Sequence, residues 1–299
     1  MNRNLPTLKQ LKYFIALSET LNFTQAAERC FVGQSTLSTG LKELEDTLGV
    51  QLVERDRQKV SLTPVGFEVL ERARSILSSG EDLLDYIQES AGVTKGYVRF
   101  GVIPTIAPFV LPKLLPLLRK TYPELKVLLR EDLTQHLLHK VRNYELDFAL
   151  IALPFDTNGL LVKEIYDDEF WLIGPVNHPA LKNPDVRMTH KMTDQILLLE
   201  EGHCLRDHTL MACKKTEIEQ EHGAEATSLL TLVQMVESEI GLALLPEMAI
   251  KAGILKHTNL IARPLLPPSP RRKIALIART STARIEVFNQ IAQFIKNHR

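Results

Sequence analysis

From Glu200 to Cys213 the chain reads Glu-Glu-Gly-His-Cys-Leu-Arg-Asp-His-Thr-Leu-Met-Ala-Cys, and these side chains could do chemistry together. Cys204 stands beside His203 and close to Arg206, with Cys213 further along the same segment. A cationic or hydrogen-bonding neighbour favours the thiolate, the nucleophilic form of cysteine. Free cysteine is also a common small residue of buried cores, so the segment by itself leaves both readings open. A metal reading would use His203, Cys204, His208, Cys213 and His222. Their spacing does not match the short paired knuckles of structural zinc sites, so no metal and no cofactor is expected. Cys30 lies far from this segment, and packing is its expected role.

A chain of 299 residues is too long for one ordinary core and suggests about two or three domains. Its 36 basic side chains balance 36 acidic ones, which argues against a polybasic protein but leaves room for local DNA contacts. The start, Met-Asn-Arg-Asn-Leu-Pro-Thr, lacks an apolar signal core, and no run of about 18 apolar residues occurs. A cytoplasmic protein with no membrane partner is expected. In that reducing compartment three cysteines are a poor structural disulfide set, and a transient or regulatory pair fits better.

The elements that must position these residues begin with Thr7-Leu8-Lys9-Gln10, which has capping-box spacing. It opens a helix with an apolar face of Leu8, Leu11, Phe14, Ile15 and Leu21. Thr24 signals a second helix, Gly33 supplies the turn after it, and Ser35 caps a third helix over about Thr36–Leu48, stopped by Gly49. This is a helix-turn-helix. Leu52–Leu62 places apolar residues either side of a charged turn, as in a two-stranded wing. Thr63-Pro64 then starts a helix to about Ser90 with Val69, Leu70, Ala73, Ile76, Leu77, Leu83, Leu84 and Ile87 on one side. So long a stripe calls for a second copy of the chain, the alternative being packing on its own domain.

The runs Leu11-Lys12-Tyr13-Phe14, Asn22-Phe23-Thr24-Gln25-Ala26-Ala27, Gln34-Ser35-Thr36-Leu37-Ser38, Leu44-Glu45, Leu48-Gly49 and Leu62-Thr63-Pro64-Val65-Gly66 come in an order and spacing that resemble the LysR-type transcriptional regulators. The resemblance implies a winged helix-turn-helix and a dimerising linker helix. Gly33 departs from it, since family members more often carry serine or threonine there. Gln34, Ser35, Thr36 and Ser38 cluster at the amino end of the third helix, where side chains reach base edges. Lys42 on that helix and Arg55 and Arg57 on the wing suit phosphate or minor-groove contacts.

Beyond a hinge bracketed by Gly92 and Gly96, strands are expected at Val98–Ile103, Lys126–Leu129, Asp147–Ile151, Phe170–Ile173, Gln195–Leu199, Leu242–Leu245 and Lys273–Ala278. Helices are expected over Pro108–Thr121, Thr134–Asn143, Ser228–Glu239 and Arg284–Asn297. Alternation of strand and helix indicates an α/β sheet with parallel pairing. The order resembles the effector domain of the same family, which is like a periplasmic binding protein with two α/β lobes. The expected fold class is thus α plus α/β. Residues 1–63 form the winged helix-turn-helix, 64–92 the linker helix and hinge, and 93–299 the regulatory domain. Within it, lobe I takes about 93–168 and 269–299, and lobe II about 169–268.

Gly101–Pro108, Leu111-Pro112, Thr134, Glu201–Asp207, Cys213, Ala226–Leu229, Leu244-Leu245-Pro246 and Pro270-Arg271-Arg272 further resemble the peroxide-sensing branch of the family. That resemblance implies that Cys204 is the peroxidatic cysteine and Cys213 the resolving one. Thr105 and Thr134 would orient hydrogen peroxide, while His203, Arg206 and Asp207 would tune the sulfur. The segment His208-Thr209-Leu210-Met211-Ala212 departs from the branch pattern. If it is helical, nine residues separate the two α-carbons by about 13 Å, against the roughly 7 Å a disulfide tolerates. Joining them requires the helix to unwind.

The expected function is a peroxide-switched activator of defence genes, working as a dimer or tetramer on promoter DNA. RNA polymerase and a glutaredoxin or thioredoxin reductant are its implied partners. An alternative within the family is a regulator answering a small-molecule inducer in the interlobe cleft. A thiol peroxidase is a third reading, against which the DNA-binding module argues; no enzyme is expected.

Overall fold

The computed structural model describes residues 4–56, 59–90, 96–184, 186–213, 225–267 and 269–298. Gly92, one side of the expected hinge, Arg57 and His222 lie outside them. The chain divides into two compact units, Met1–Val93 with Asn143–Glu145, and Thr94–Arg142 with Leu146–Arg299.

The first unit holds α1 (Leu8–Thr20), α2 (Phe23–Arg29), α3 (Gln34–Leu48), the antiparallel strands β1 (Val53–Asp56) and β2 (Lys59–Leu62), and α4 (Pro64–Ser90). It is a winged helix-turn-helix followed by a long helix. The capping box at Thr7 and Gln10 forms as expected. Several local signals resolve differently. Leu8 and Leu21 are exposed, and the buried face of α1 is Leu11, Tyr13, Phe14, Ala16 and Leu17. Asn22, not Thr24, caps α2, its side chain accepting from the backbone amides of Thr24 and Gln25. Gly33 is the N-cap of α3 without a side-chain bond, so Ser35 lies inside the first turn and does not cap. The left-handed residue of the turn is Phe31, at φ 56°, while Gly33 is ordinary at −70°. Glycine matters instead at Gly40 on α3, where a β-carbon would stand 2.8 Å from the Tyr13 ring.

The stripe of α4 is divided. Leu70 and Ala73 are buried, with Val69 and Leu77 packed beside them, in the core formed by α1, α2 and α3. Leu83, Leu84 and Ile87 are exposed. Most of the first half of the stripe therefore serves its own unit, while Ile76 is exposed along with the second half.

The second unit contains β3 (Gly96–Val102), α5 (Ala107–Thr121), β4 (Leu125–Glu131), α6 (Thr134–Arg142), β5 (Phe148–Leu153), β6 (Leu160–Pro175), α7 (His190–Thr193), α8 (Cys204–Cys213), α9 (Leu229–Glu237), β7 (Ala243–Pro246), α10 (Glu247–Lys251), β8 (Leu260–Pro264), β9 (Arg271–Arg279) and α11 (Ile285–Asn297). The sheet runs β4-β3-β5-β9-β6-β7, with β8 also on β6. Pairing is parallel for β3 with β4 and β5 and in the isolated bridges, but antiparallel between the other named strands, so the expected parallel pairing holds for part of the sheet. Gln195–Leu199, expected as a strand, contributes isolated bridges from Ile196 to Leu242 and Leu199 to Ala226.

The expected strand Phe170–Ile173 is the far end of the sixteen-residue β6. Its first part pairs with β9 and its last residues with β7 and β8. The polar run Tyr166-Asp167-Asp168-Glu169 hid this continuity, because a strand is usually read from its apolar residues. Here charge matches charge across the register: Asp168 lies opposite Arg272 and Glu169 opposite Arg271. Two hydrophobic cores result. One gathers residues from β3, β5, α5, α6, β9 and α11; the other gathers β7, α9 and the end of β6.

Candidate functional site

Cys204 is the first residue of α8, and only 3% of it is exposed. Gly202 sets the approach, with φ at 90°, and a β-carbon there would press on the flexible end of Leu133, meeting its Cδ1 at 2.8 Å. The consequence is a helix that begins at the boundary of the two cores. Cys204 packs into the first and Leu205 into the second.

Arg272 of β9 organises this boundary and is fully buried. Its Nε donates to Asp168 Oδ2 at 3.1 Å, its Nη1 to the Thr105 hydroxyl at 2.7 Å, and its Nη2 to the Thr105 carbonyl at 3.1 Å. Asp168 in turn accepts from the Met248 amide at 3.0 Å, at the start of α10. Burial pushes the Asp168 carboxyl up despite the cation beside it. A buried pair of this kind is costly to assemble and more costly to break.

Burial likewise pushes the Cys204 thiol up; Arg272 and the hydroxyls of Thr134 and Thr105 pull it down, and Asp207 pushes it up again. The balance favours the thiol in the closed site. Thr105 accepts from Arg272, which leaves its own proton available to a sulfur or oxygen anion. Thr134 opens α6 without capping it, its hydroxyl buried and without a well-formed partner. That hydroxyl is a spare donor held in a dry site, as stabilisation of a developing anion requires.

The other residues named from sequence lie differently. His203 is buried with Nε2 3.7 Å from Glu200 Oε1. Arg206 is turned to the Leu199 carbonyl at 3.0 Å and to Glu225, so the cation acting on the sulfur is Arg272. Asp207 is exposed. Cys213 ends α8 half-buried against the second core, and neither cysteine is in a disulfide. Their intact helix keeps the α-carbons about 13 Å apart at the usual rise.

Arg272, Asp168 and His208 are the additions. His208 Nε2 is 2.9 Å from the Leu153 carbonyl oxygen, across the same boundary. The available signal was a charged residue at an inward position of a strand, Arg272, with an acidic partner far away in sequence. Among the described residues no group of three or more metal-ligating side chains converges. No helix is long and apolar enough to cross a membrane among them.

In the first unit, Gln34, Ser35, Thr36 and Lys42 are exposed and Ser38 is half-buried, while Leu37, Leu41 and Leu44 fix the opposite face of α3. Arg55 lies on β1 of the wing. Phe31, in the turn before α3, is 94% exposed. Cys30 is half-buried, its thiol pushed up by burial.

Two family profiles match. The one described as bacterial regulatory helix-turn-helix protein, lysR family, covers residues 8–67, and LysR substrate binding domain covers 91–299. HTH-type transcriptional regulator EstR of Acinetobacter baylyi is 42% identical over 98% of this chain and 97% of its own length. The DNA-binding transcriptional dual regulator OxyR of Escherichia coli is 32% identical over 97% of this chain and 94% of its own. Among solved structures, a full-length OxyR variant from Pseudomonas aeruginosa matches with a TM-score of 0.80 at 33% identity, covering 98% of this chain and 95% of its own. A hydrogen-peroxide-bound OxyR mutant of Corynebacterium glutamicum matches with a TM-score of 0.65 at 32% identity, covering 99% and 93%.

Proposed function

This chain belongs to the LysR family of bacterial transcriptional regulators, and from that premise we propose that it senses hydrogen peroxide through Cys204 and switches its grip on promoter DNA. The observation that carries the reading is a buried cysteine facing two threonine hydroxyls and a buried guanidinium. The Cys204 thiolate attacks one peroxide oxygen, the O–O bond breaks, and the second oxygen leaves as hydroxide. Thr105, Thr134 and Arg272 are suited to stabilise the sulfur anion and then the departing oxygen. Burial keeps the resting thiol protonated, so the proton must leave as peroxide enters. His203 and Asp207 support this centre from the start of α8, and Arg206 ties that turn to Leu199 and Glu225.

Cys213 then attacks the sulfenic sulfur, water leaves, and a disulfide forms. An intact α8 forbids this, so the segment unwinds and the two lobes shift. We take the lobes as 93–168 with 269–299, and 169–268. The change reaches α3 and the wing through a dimer made by Leu83, Leu84 and Ile87 of α4, with a tetramer of such dimers as the working form. Gln34, Ser35, Thr36 and Ser38 read bases, and Lys42, Arg55 and Arg57 hold phosphates. RNA polymerase is recruited by the oxidised form, and a glutaredoxin or thioredoxin resets it.

Mass spectrometry after brief peroxide exposure, run beside DNA footprinting, tests the reading. A Cys204–Cys213 disulfide with an altered footprint is expected; persistent free thiols with unchanged contacts overturn it. The relative at 42% identity is named a transcriptional regulator with no mention of peroxide, and the alternative for this chain is a small-molecule inducer between the lobes. A normal response after Cys204→Ser would support that instead.

A further inference from the structure

His208 lies one helical turn after Cys204, and residues four apart share a helix face. Its ring is buried, with the Phe170 ring centroid 5.9 Å away on β6. Nε2 meets the Leu153 carbonyl oxygen at 2.9 Å, at the end of β5. A carbonyl only accepts, so Nε2 carries the hydrogen and Nδ1 is the bare nitrogen of a neutral ring. Nδ1 is buried without a partner. The groups that face the ring are Arg272 from β9, Asp207 and the Cys204 carbonyl from its own helix, and the Leu153 carbonyl from β5. Burial acts most strongly and holds the ring below the usual histidine range, with Arg272 acting the same way; the two carbonyls and Asp207 oppose.

We propose that His208 is a positioning residue that latches α8, and with it Cys204, to the Leu153 end of β5, and that the latch releases with uptake of one proton at Nδ1 as Cys204 passes to Cys213. The inference rests on the sensor reading above. In the latched form the carbonyl requires only the Nε2 hydrogen, and a proton on Nδ1 would place a charge in a dry pocket beside Arg272. Unwinding α8 moves the ring into water, where it titrates near its ordinary value of about 6.5. The released form therefore binds more protons below that value, so acid favours release, and above it the effect disappears. The latch resists disulfide formation at neutral pH and yields as pH falls.

Wild-type and His208→Gln chains are equilibrated with oxidised and reduced dithiothreitol over the range from about pH 5.5 to 8, either side of the histidine value. In that exchange the two protein thiols give two electrons and two protons to the small disulfide, which becomes a dithiol. Glutamine donates to Leu153 without titrating, so dividing wild type by variant removes the cysteines' own pH dependence. The ratio of exchange constants should be flat above about pH 7 and rise towards tenfold per unit at the acid end. Parallel profiles, with the Cys204–Cys213 disulfide formed in both, overturn the latch alone. No such disulfide in either chain overturns the sensor reading and the latch with it. Should the variant not fold, proton uptake by wild type during the same exchange decides: uptake is expected near pH 6 and absent near pH 8, and no uptake at either overturns the proposal.

Discussion

Helices α3 and α8 both begin with the side chains that matter, and they present them in opposite ways. On α3, Gln34, Ser35 and Thr36 face outward while Leu37, Leu41 and Leu44 anchor the rear. On α8, the first residue is Cys204, buried to 3% exposure, and its partners come from β9, α6 and the loop after β3. An outward-facing site needs only its own helix to be held still. An inward-facing one is assembled from distant parts of the chain, so substitutions far from Cys204 should reach it while leaving α3 untouched.

The largest expected effect comes from removing the distant cation. Arg272→Met leaves Asp168 buried without its partner, and losing one member of a buried pair costs about 3–5 kcal/mol. Denaturant unfolding of the second unit measures it. Burial already pushes the Asp168 carboxyl up with Arg272 present, and it rises further without the cation. A carboxyl raised in the folded state is penalised fully above its folded value, and the penalty disappears as pH falls towards the ordinary carboxylate value near 3.9, so about pH 4. The deficit against wild type should therefore shrink on acidification. A deficit independent of pH, or equal loss in the first unit, would break the contrast between the two sites.

This contrast also explains what could be read from sequence. The helix-turn-helix was legible because its signals are local: the Thr7 and Gln10 capping box and Gly49 as a stop. The reactive segment was legible as a cluster, Gly202 to Arg206, but its cation was not. Arg206 is adjacent in sequence yet bonds to Leu199 and Glu225, and Arg272 reaches the sulfur's surroundings from sixty-eight positions away. Nor did alternation disclose β6, since Asp167 and Asp168 occupy strand positions opposite basic residues of β9. His208 stood in the stretch that departed from the family pattern, and only its burial against Leu153 gives it a role.

A smaller effect tests how tightly the start of α8 is set. Gly202 has φ at 90°, and an added β-carbon would meet Leu133 Cδ1 at 2.8 Å. Gly202→Ala should cost about 1–2 kcal/mol from the backbone conformation, with Leu133 yielding at its flexible end. Because the strain sits two residues before Cys204, the rate of peroxide reaction should fall with stability, as measured by stopped-flow oxidation. Loss of stability with an unchanged rate would mean that the turn supports the lobe without aiming the cysteine.

The corresponding glycine of α3 should behave in the reverse sense. Gly33 is the N-cap, its φ of −70° is open to any residue, and it has no side chain to cap the first turn. An added β-carbon finds Ser35 Oγ at 3.8 Å and Thr36 Oγ1 at 3.9 Å, ordinary contacts. A serine hydroxyl there can accept from the backbone amide of Ser35 or Thr36, one of the orphan donors of the first turn. Gly33→Ser should thus stabilise the first unit by only a few tenths of a kcal/mol, roughly the difference between serine and glycine caps. Amide exchange at Thr36 is the sensitive measurement, and it should slow while exchange around Cys204 stays the same. A change at Cys204 would mean that stabilising the start of α3 alone already reaches α8 in the reduced protein.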